Sequence, residues 1–150
     1  MSHYFLQKYS LFYILKLRYN KYMCGRFALI LTPAELEKIF GLRLDEEFNP
    51  RYNIAPSQTV PVITYQEKDK KKKISIMKWG LVPSWTKDSS IGDRMINARS
   101  ETIQEKPSCR SAFQRRRALI PANGFFEWKR EENTKTPYFI GMQEMKAFAF

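Results

Sequence analysis

Cys24 stands directly behind an internal methionine, in Met23-Cys24-Gly25-Arg26-Phe27. If the mature chain starts there, Cys24 carries a thiol and a free α-amine on adjacent carbons. Their ordinary pKa values are about 8.5 and about 7.7–8.0, so both are partly reactive near neutral pH. Such a pair condenses with an aldehyde to an imine and then closes a five-membered thiazolidine ring. An internal cysteine cannot do this, because its nitrogen is held in an amide. The bland role for a lone cysteine is that of a small buried residue at a strand start. The position just behind Met23 argues for the chemical one.

Three further groups could act with that nucleophile. Glu127 lies between Phe126 and Trp128, an apolar setting that raises a carboxyl pKa and suits acid–base work. By strand alternation Phe126 and Trp128 share one face, and Glu127 shares the other with Phe125 and Lys129. From pattern alone, an outward Glu127 paired with Lys129 or Arg130 is equally good. Asn97 reads by default as a turn-capping residue. Arg99 points the same way as Asn97 if this piece is extended, and guanidinium geometry suits a phosphate. Arg26 would place a bound phosphate beside the thiol and lower the thiol pKa.

Those groups need a folded scaffold to position them. The chain has 150 residues, 43% apolar and 15% aromatic, enough for one domain with a real core. Net charge is +11. Residues 1–22 hold Lys8, Lys16, Arg18 and Lys21 and no acid; the 22 other basic residues against 15 acidic ones leave +7. A core that basic favours a polyanionic partner, most simply nucleic acid. Only Cys24 and Cys109 are present, so no disulfide framework is implied and a reducing compartment is natural. The one histidine is His3, and two cysteines without a nearby histidine argue against zinc. Neither a G-x-x-x-x-G-K loop nor G-x-G-x-x-G occurs. No metal or cofactor is expected.

Residues 1–22 form a leader. Leu11 to Leu15 is followed at once by Lys16 and Arg18, with no small-residue cleavage site, so a signal peptide is not indicated. The segment is also too short and charged to span a bilayer. It reads either as upstream sequence from a mis-assigned start, the preferred reading, or as a pro-segment masking Cys24.

Arg26 to Leu31 suits a buried strand. Thr32-Pro33-Ala34-Glu35 opens a helix with an N-cap, a proline at N1 and a glutamate at N3. Leu36, Ile39 and Phe40 form its apolar face and Gly41 stops it. Asn49 to Pro56 reads as an ordered loop limited by two prolines. Thr59–Tyr65 and Ile74–Trp79 read as strands joined by a charged hairpin tip, Gln66–Lys73. Gly80–Ser90 is a loop. Short helices are expected over Ser100–Glu105 and Ser111–Arg116. Strands follow over Ala118–Pro121, Phe125–Lys129, Pro137–Met142 and Lys146–Phe150, with a turn over Glu131–Thr136. The pattern predicts an α+β domain around a curved, largely antiparallel, barrel-like sheet with a few short helices. The apolar strand that stops at Phe150 predicts a further segment after it.

Two charge runs take the plain reading. Lys68-Asp69-Lys70-Lys71-Lys72-Lys73 is a solvated hairpin tip with some long-range attraction for DNA. Arg115-Arg116-Arg117 abuts a strand and is the better phosphate patch, balanced against a solvated helix end. Trp79, Trp85 and Trp128 suit a core, and Trp85, in a loop near Pro83 and Lys87, is the one expected to be exposed. Exposed aromatics stack on unpaired bases at about 1–3 kcal/mol each.

Five motifs occur in order: Cys24-Gly25-Arg26-Phe27, Arg51 to Pro56, Trp79 to Trp85, Ile96 to Thr102, and Ala122 to Trp128. Together they resemble the SOS response-associated peptidase (SRAP) family, whose members crosslink to abasic sites in DNA. The resemblance covers residues 23–150 as the N-terminal part of a single SRAP domain. It implies a following segment with an active-site histidine. It also implies Cys24 as the nucleophile, Glu127 as the catalytic glutamate, and Asn97 as a holder of the sugar or of the terminal amine. It puts Arg26, Asn53, Pro56, Trp85, Arg99 and Trp128 on the DNA surface.

What the resemblance implies is a monomeric, cytoplasmic, nucleoid-associated protein of the DNA-damage response. It would sense abasic sites in single-stranded DNA and trap them as a thiazolidine. Two alternatives stay open: a thiol peptidase acting on its own leader, and a noncatalytic single-stranded-DNA-binding module.

Overall fold

The computed structural model describes residues 24–132 and 134–150. The leader and Met23, with both readings of them, lie outside the described residues. Among the described residues nine strands and two α-helices follow one another as β1 (Phe27–Leu29), α1 (Pro33–Phe40), β2 (Arg51–Ile54), β3 (Thr59–Gln66), β4 (Lys71–Lys78), α2 (Pro107–Arg115), β5 (Ala118–Leu119), β6 (Pro121–Ala122), β7 (Gly124–Glu131), β8 (Thr134–Gly141) and β9 (Phe148–Ala149). The strand pairings named here are all antiparallel, and they form three sheets with orders β2-β1-β7-β8, β4-β3-β5 and β6-β9. An α+β fold of open, curved sheets is the result. Among the described residues no helix is long and apolar enough to cross a membrane.

Local chemistry explains α1. Thr32 Oγ1 accepts from the Glu35 amide at 3.3 Å, and a Glu35 carboxylate oxygen accepts from the Thr32 amide at 2.8 Å. Both ends of that box satisfy amides the helix itself cannot use. Gly41 ends the helix in the left-handed conformation, at φ 64°. Leu36 is buried completely and joins Phe27, Leu29, Ile54, Val60, Val62, Ile63, Ile74 and Ala122 in the core.

In β3, Val60 to Ile63 are buried on both faces, because the sheet is covered on each side. Pro61 is tolerated there because β5 reaches only Ile63 and Thr64, leaving β3 an edge strand at the proline on that side. The β3–β4 hairpin is longer and its turn tighter than the charge run alone suggests: strand pairing continues to Gln66↔Lys71.

Several segments differ from the sequence expectation. Arg51–Ile54 is an edge strand on β1 rather than a loop; its prolines, Pro50 and Pro56, flank the paired residues. Ser100–Glu105 is a run of turns. Pro107 starts α2 and disfavours helical geometry in the residue before it. The helix expected over Ser111–Arg116 therefore begins earlier, at Pro107. Ala118–Pro121 divides between two sheets, β5 joining β3 and β6 joining β9. Ile120, at the crossing, exchanges two backbone hydrogen bonds with Phe150 at 3.0 and 3.3 Å.

Among the described residues Asn123 is the one buried polar residue, at 1% exposure. Its Oδ1 accepts from the Ile30 amide at 2.9 Å, and its Nδ2 donates to the Met145 carbonyl at 2.8 Å. Its own amide donates to Ala28 at 2.9 Å. One side chain thus ties the end of β1 to the segment before β9, at the root of β7. Replacing it leaves the part-buried Ile30 amide and the Met145 carbonyl without this partner, each costing up to about 1–3 kcal/mol. Asn123→Ala is expected to lose about 2–4 kcal/mol of stability, checked by urea unfolding. An unchanged urea midpoint would refute that role.

Candidate functional site

The site begins where β1 and β7 meet. Phe27 pairs with Phe125 and Ala28 with Gly124, and the Phe126 amide donates to the Arg26 carbonyl at 2.9 Å. Continuing that register brings Gly25 opposite Glu127. Cys24, just before β1, and Glu127, in the middle of β7, therefore become neighbours through strand pairing. The Cys24 thiol donates to the same Arg26 carbonyl, with 3.4 Å between sulfur and oxygen.

Alternation along β7 separates its aromatic residues. Phe125 turns toward the core and meets the Phe150 ring edge-on at 5.9 Å. Phe126, on the opposite face, meets Phe139 at 5.1 Å. Glu127 follows the Phe125 face and is half-buried beyond the core's edge. Lys129 forms its ion pair with Glu131, so the surface pairing left open for Glu127 is taken by another carboxylate. Burial pushes the Glu127 carboxyl above its ordinary range.

The Cys24 thiol is also held above its usual value. Partial burial is the largest cause; a backbone hydrogen bond with Arg26 pulls the other way, and the negative field of Glu127 adds to the rise. This corrects the expectation that Arg26 lowers the thiol pKa. The Arg26 guanidinium is turned aside: Nη1 donates to Asn53 Oδ1 at 3.0 Å. β2 carries Asn53 beside β1, which is why the Arg51–Ile54 strand matters to the site.

Asn97 reaches the nucleophile from a separate segment. Its Nδ2 donates to the Cys24 carbonyl at 2.8 Å. The stretch that bears it is pinned twice: Trp79 Nε1 donates to the Ile96 carbonyl at 2.9 Å, and the Leu81 amide to Met95 at 2.9 Å. Trp79 itself packs edge-on against Phe27 at 5.4 Å. Its indole N–H couples the core to the segment that bears Asn97. Gly80 allows a close approach here. It has φ 147°, and a Cβ on it would lie 2.3 Å from the Gly92 carbonyl oxygen.

Beyond Asn97 an open groove of about 350 Å³ is lined in part by Arg99, Thr102, Lys106, Ser108 and Cys109. Arg99 is exposed there. The structure thus gathers Cys24, Arg26, Asn53, Asn97 and Glu127, with Arg99 alongside. It does not bring the other three to the thiol by any contact. Pro56 is half-buried, just after β2. Trp85 is 65% exposed in the loop after β4. Trp128 leaves β7 on the face opposite Glu127.

The family model described as SOS response associated peptidase (SRAP) matches residues 23–150. The chain belongs to the SRAP family. A Bacillus subtilis protein named abasic site processing protein YoqW is 40% identical over 132 residues, covering 85% of this chain and 58% of the relative. The abasic site processing protein HMCES of Xenopus tropicalis is 31% identical over 149 residues, covering 83% of this chain and 44% of its own length. A crystal structure of a Bacteroides thetaiotaomicron protein superposes with a TM-score of 0.73 at 25% identity, covering 84% of this chain and 57% of that one. The chain spans about half the length of the curated relatives it matches.

For this SRAP chain the two raised pKa values give a signed test. The Glu127 anion opposes thiolate formation, so removing its charge must ease it. Glu127→Gln is expected to shift the pH midpoint of Cys24 alkylation by iodoacetamide downward. Peptide mapping separates Cys24 from the buried Cys109. A midpoint that stays or rises would remove Glu127 from the thiol's electrostatic surroundings.

Proposed function

We propose that this chain processes abasic sites in DNA by covalent capture at Cys24. The observation that carries the reading is the convergence of Asn97 and Glu127 on Cys24 from distant parts of the chain. The names of the relatives supply the substrate class.

An abasic deoxyribose opens to an aldehyde at C1′. The Cys24 α-amine adds to that carbon and water leaves, giving an imine. The thiol then adds across the C=N bond: sulfur joins C1′, the proton goes to nitrogen, and the thiazolidine closes. The aldehyde that promotes β-elimination is consumed, so the strand stays intact. Glu127, its carboxyl pushed upward by burial, is placed to donate to the departing hydroxyl and take the proton back. Asn97 holds the Cys24 carbonyl and so orients the reacting residue. Arg26 with Asn53, and Arg99 in the groove, would meet the DNA backbone, with Trp85 exposed to stack on an unpaired base. Single-stranded DNA is the substrate that leaves such bases free.

This chemistry requires Cys24 as the first residue of the mature chain. A cysteine and a carboxyl placed together could also hydrolyse the amide before Cys24, consistent with the family's peptidase name. Intact mass of the purified protein tests that step. A species starting at Cys24 is expected in the native sequence and not in Glu127→Ala; its persistence there speaks against self-cleavage.

Cys24→Ala is expected to abolish the heat-stable crosslink to an abasic single-stranded oligonucleotide while changing noncovalent binding less than about twofold, equivalent to under about 0.5 kcal/mol. Undiminished crosslink on a denaturing gel would end the proposal.

A further inference from the structure

The two basic runs lie far apart in the sequence, yet the order β4-β3-β5 brings them to one end of one sheet. Thr64, in the central strand, pairs with Lys73 on one side and with Ala118 on the other. Ala118 directly follows Arg115-Arg116-Arg117. Lys73, Lys72 and Lys71 face Thr64, Tyr65 and Gln66 in turn. Neighbouring strands are about 4.8 Å apart, so lysines and arginines flank the central strand across about 10 Å.

All six of these cations are exposed. The three ion pairs found among the described residues, Lys78–Asp93, Lys129–Glu131 and Lys146–Glu144, involve none of them. Arg117 is braced on the Phe113 ring of α2, its guanidinium carbon 5.9 Å from the ring centre. The nearby acids are Glu67 and Asp69 at the hairpin tip, and Asp69 accepts from the Lys71 amide at 3.2 Å. Between the two basic flanks Tyr65 is 55% exposed. Hydrophobic burial does not account for it, because the β3 core ends before it, at Ile63.

We propose that this end of the β4-β3-β5 sheet is a second single-stranded-DNA contact, binding the strand that flanks the lesion. It takes phosphates between the Lys71–Lys73 and Arg115–Arg117 flanks and stacks a base on Tyr65. It lies on a different sheet from β1 and β7, which carry the reacting groups, and it needs no lesion. Charge complementarity selects the occupant: paired rows of unneutralised cations with an aromatic between them match a polynucleotide strand. The inference rests on the DNA reading above for its substrate class, but not on the crosslink.

The test uses the full chain and an undamaged oligothymidine, with binding measured across a salt series. Each lost single-strand phosphate contact lowers the slope of log K against log salt by about 0.7, so Lys72→Gln with Arg117→Gln is expected to lower it by about 1.4. Lys38→Gln with Arg43→Gln, an equal charge change near α1, is expected to leave the slope unchanged. Tyr65→Ala is expected to weaken binding at least about fivefold and Tyr65→Phe to retain it, because the stacking ring remains. An unchanged slope in the Lys72/Arg117 variant, or an equal fall in the Lys38/Arg43 variant, overturns the proposal. So does loss of binding to phosphatidylserine vesicles with the DNA slope intact, which would assign the surface to membranes. Crosslinking that fails while these slopes behave as stated sinks the Cys24 reading alone.

Discussion

The antiparallel pairing of β1 with β7 is the constraint on which the site depends. It is short, and its register alone makes Cys24 and Glu127 neighbours. A one-residue slip would turn Glu127 to the Phe126 face, away from the thiol, and put the core-facing Phe125 into solvent. The register is held at both ends. Phe27 and Phe125 both pack against the ring of Phe150, and Asn123 ties Ile30 and Met145 together at the strand's other end. Buried polar satisfaction and apolar packing thus specify the same alignment, and Cys24 and Glu127 inherit it.

The second arm of the site depends on a coupling of core to loop. Trp79 packs on Phe27 within the core and donates its indole N–H to Ile96, one residue before Asn97. Phe27 is also in β1. The residue that holds the Cys24 carbonyl and the strand that follows Cys24 are therefore referenced to one aromatic contact. The Gly80–Gly92 approach tightens the same region, where any larger side chain would strike backbone. Such anchoring lets a loop residue keep a fixed position without being in a helix or strand.

Electrostatics in the site and across the surface act in opposite senses. Around Cys24 the setting is partly desolvated, which pushes the thiol and the Glu127 carboxyl both above their ordinary values, and the Glu127 charge adds to the rise at the thiol. Arg26 does not offset this, because its guanidinium is committed to Asn53. The long-range field is positive, from a net +11 spread over the chain. The positive surface field and the control of the Cys24 thiol's ionisation are thereby assigned to different residues. The field can be strong without making the thiol indiscriminately reactive.

What the sequence by itself determined is what short-range physics decides. The capping box of Thr32 and Glu35, the stop at Gly41 and the β3–β4 hairpin are made by residues close in the chain, and they fold as their pattern says. Alternation likewise put Glu127 on the Phe125 face, since the period of a strand is local. Five spaced motifs were enough to reveal the SRAP family. What only the tertiary structure decided involves partners distant in sequence. Arg51–Ile54 became a strand because β1 had a free edge to pair with. Ala118–Pro121 divided because Thr64 and Ala149 claimed opposite ends of it. Lys129 went to Glu131, and Asn97 found the Cys24 carbonyl rather than capping a turn. In each case the residue's intrinsic preference was compatible with several outcomes. The choice was made by an unpaired backbone edge or polar group that only the assembled fold brings within reach.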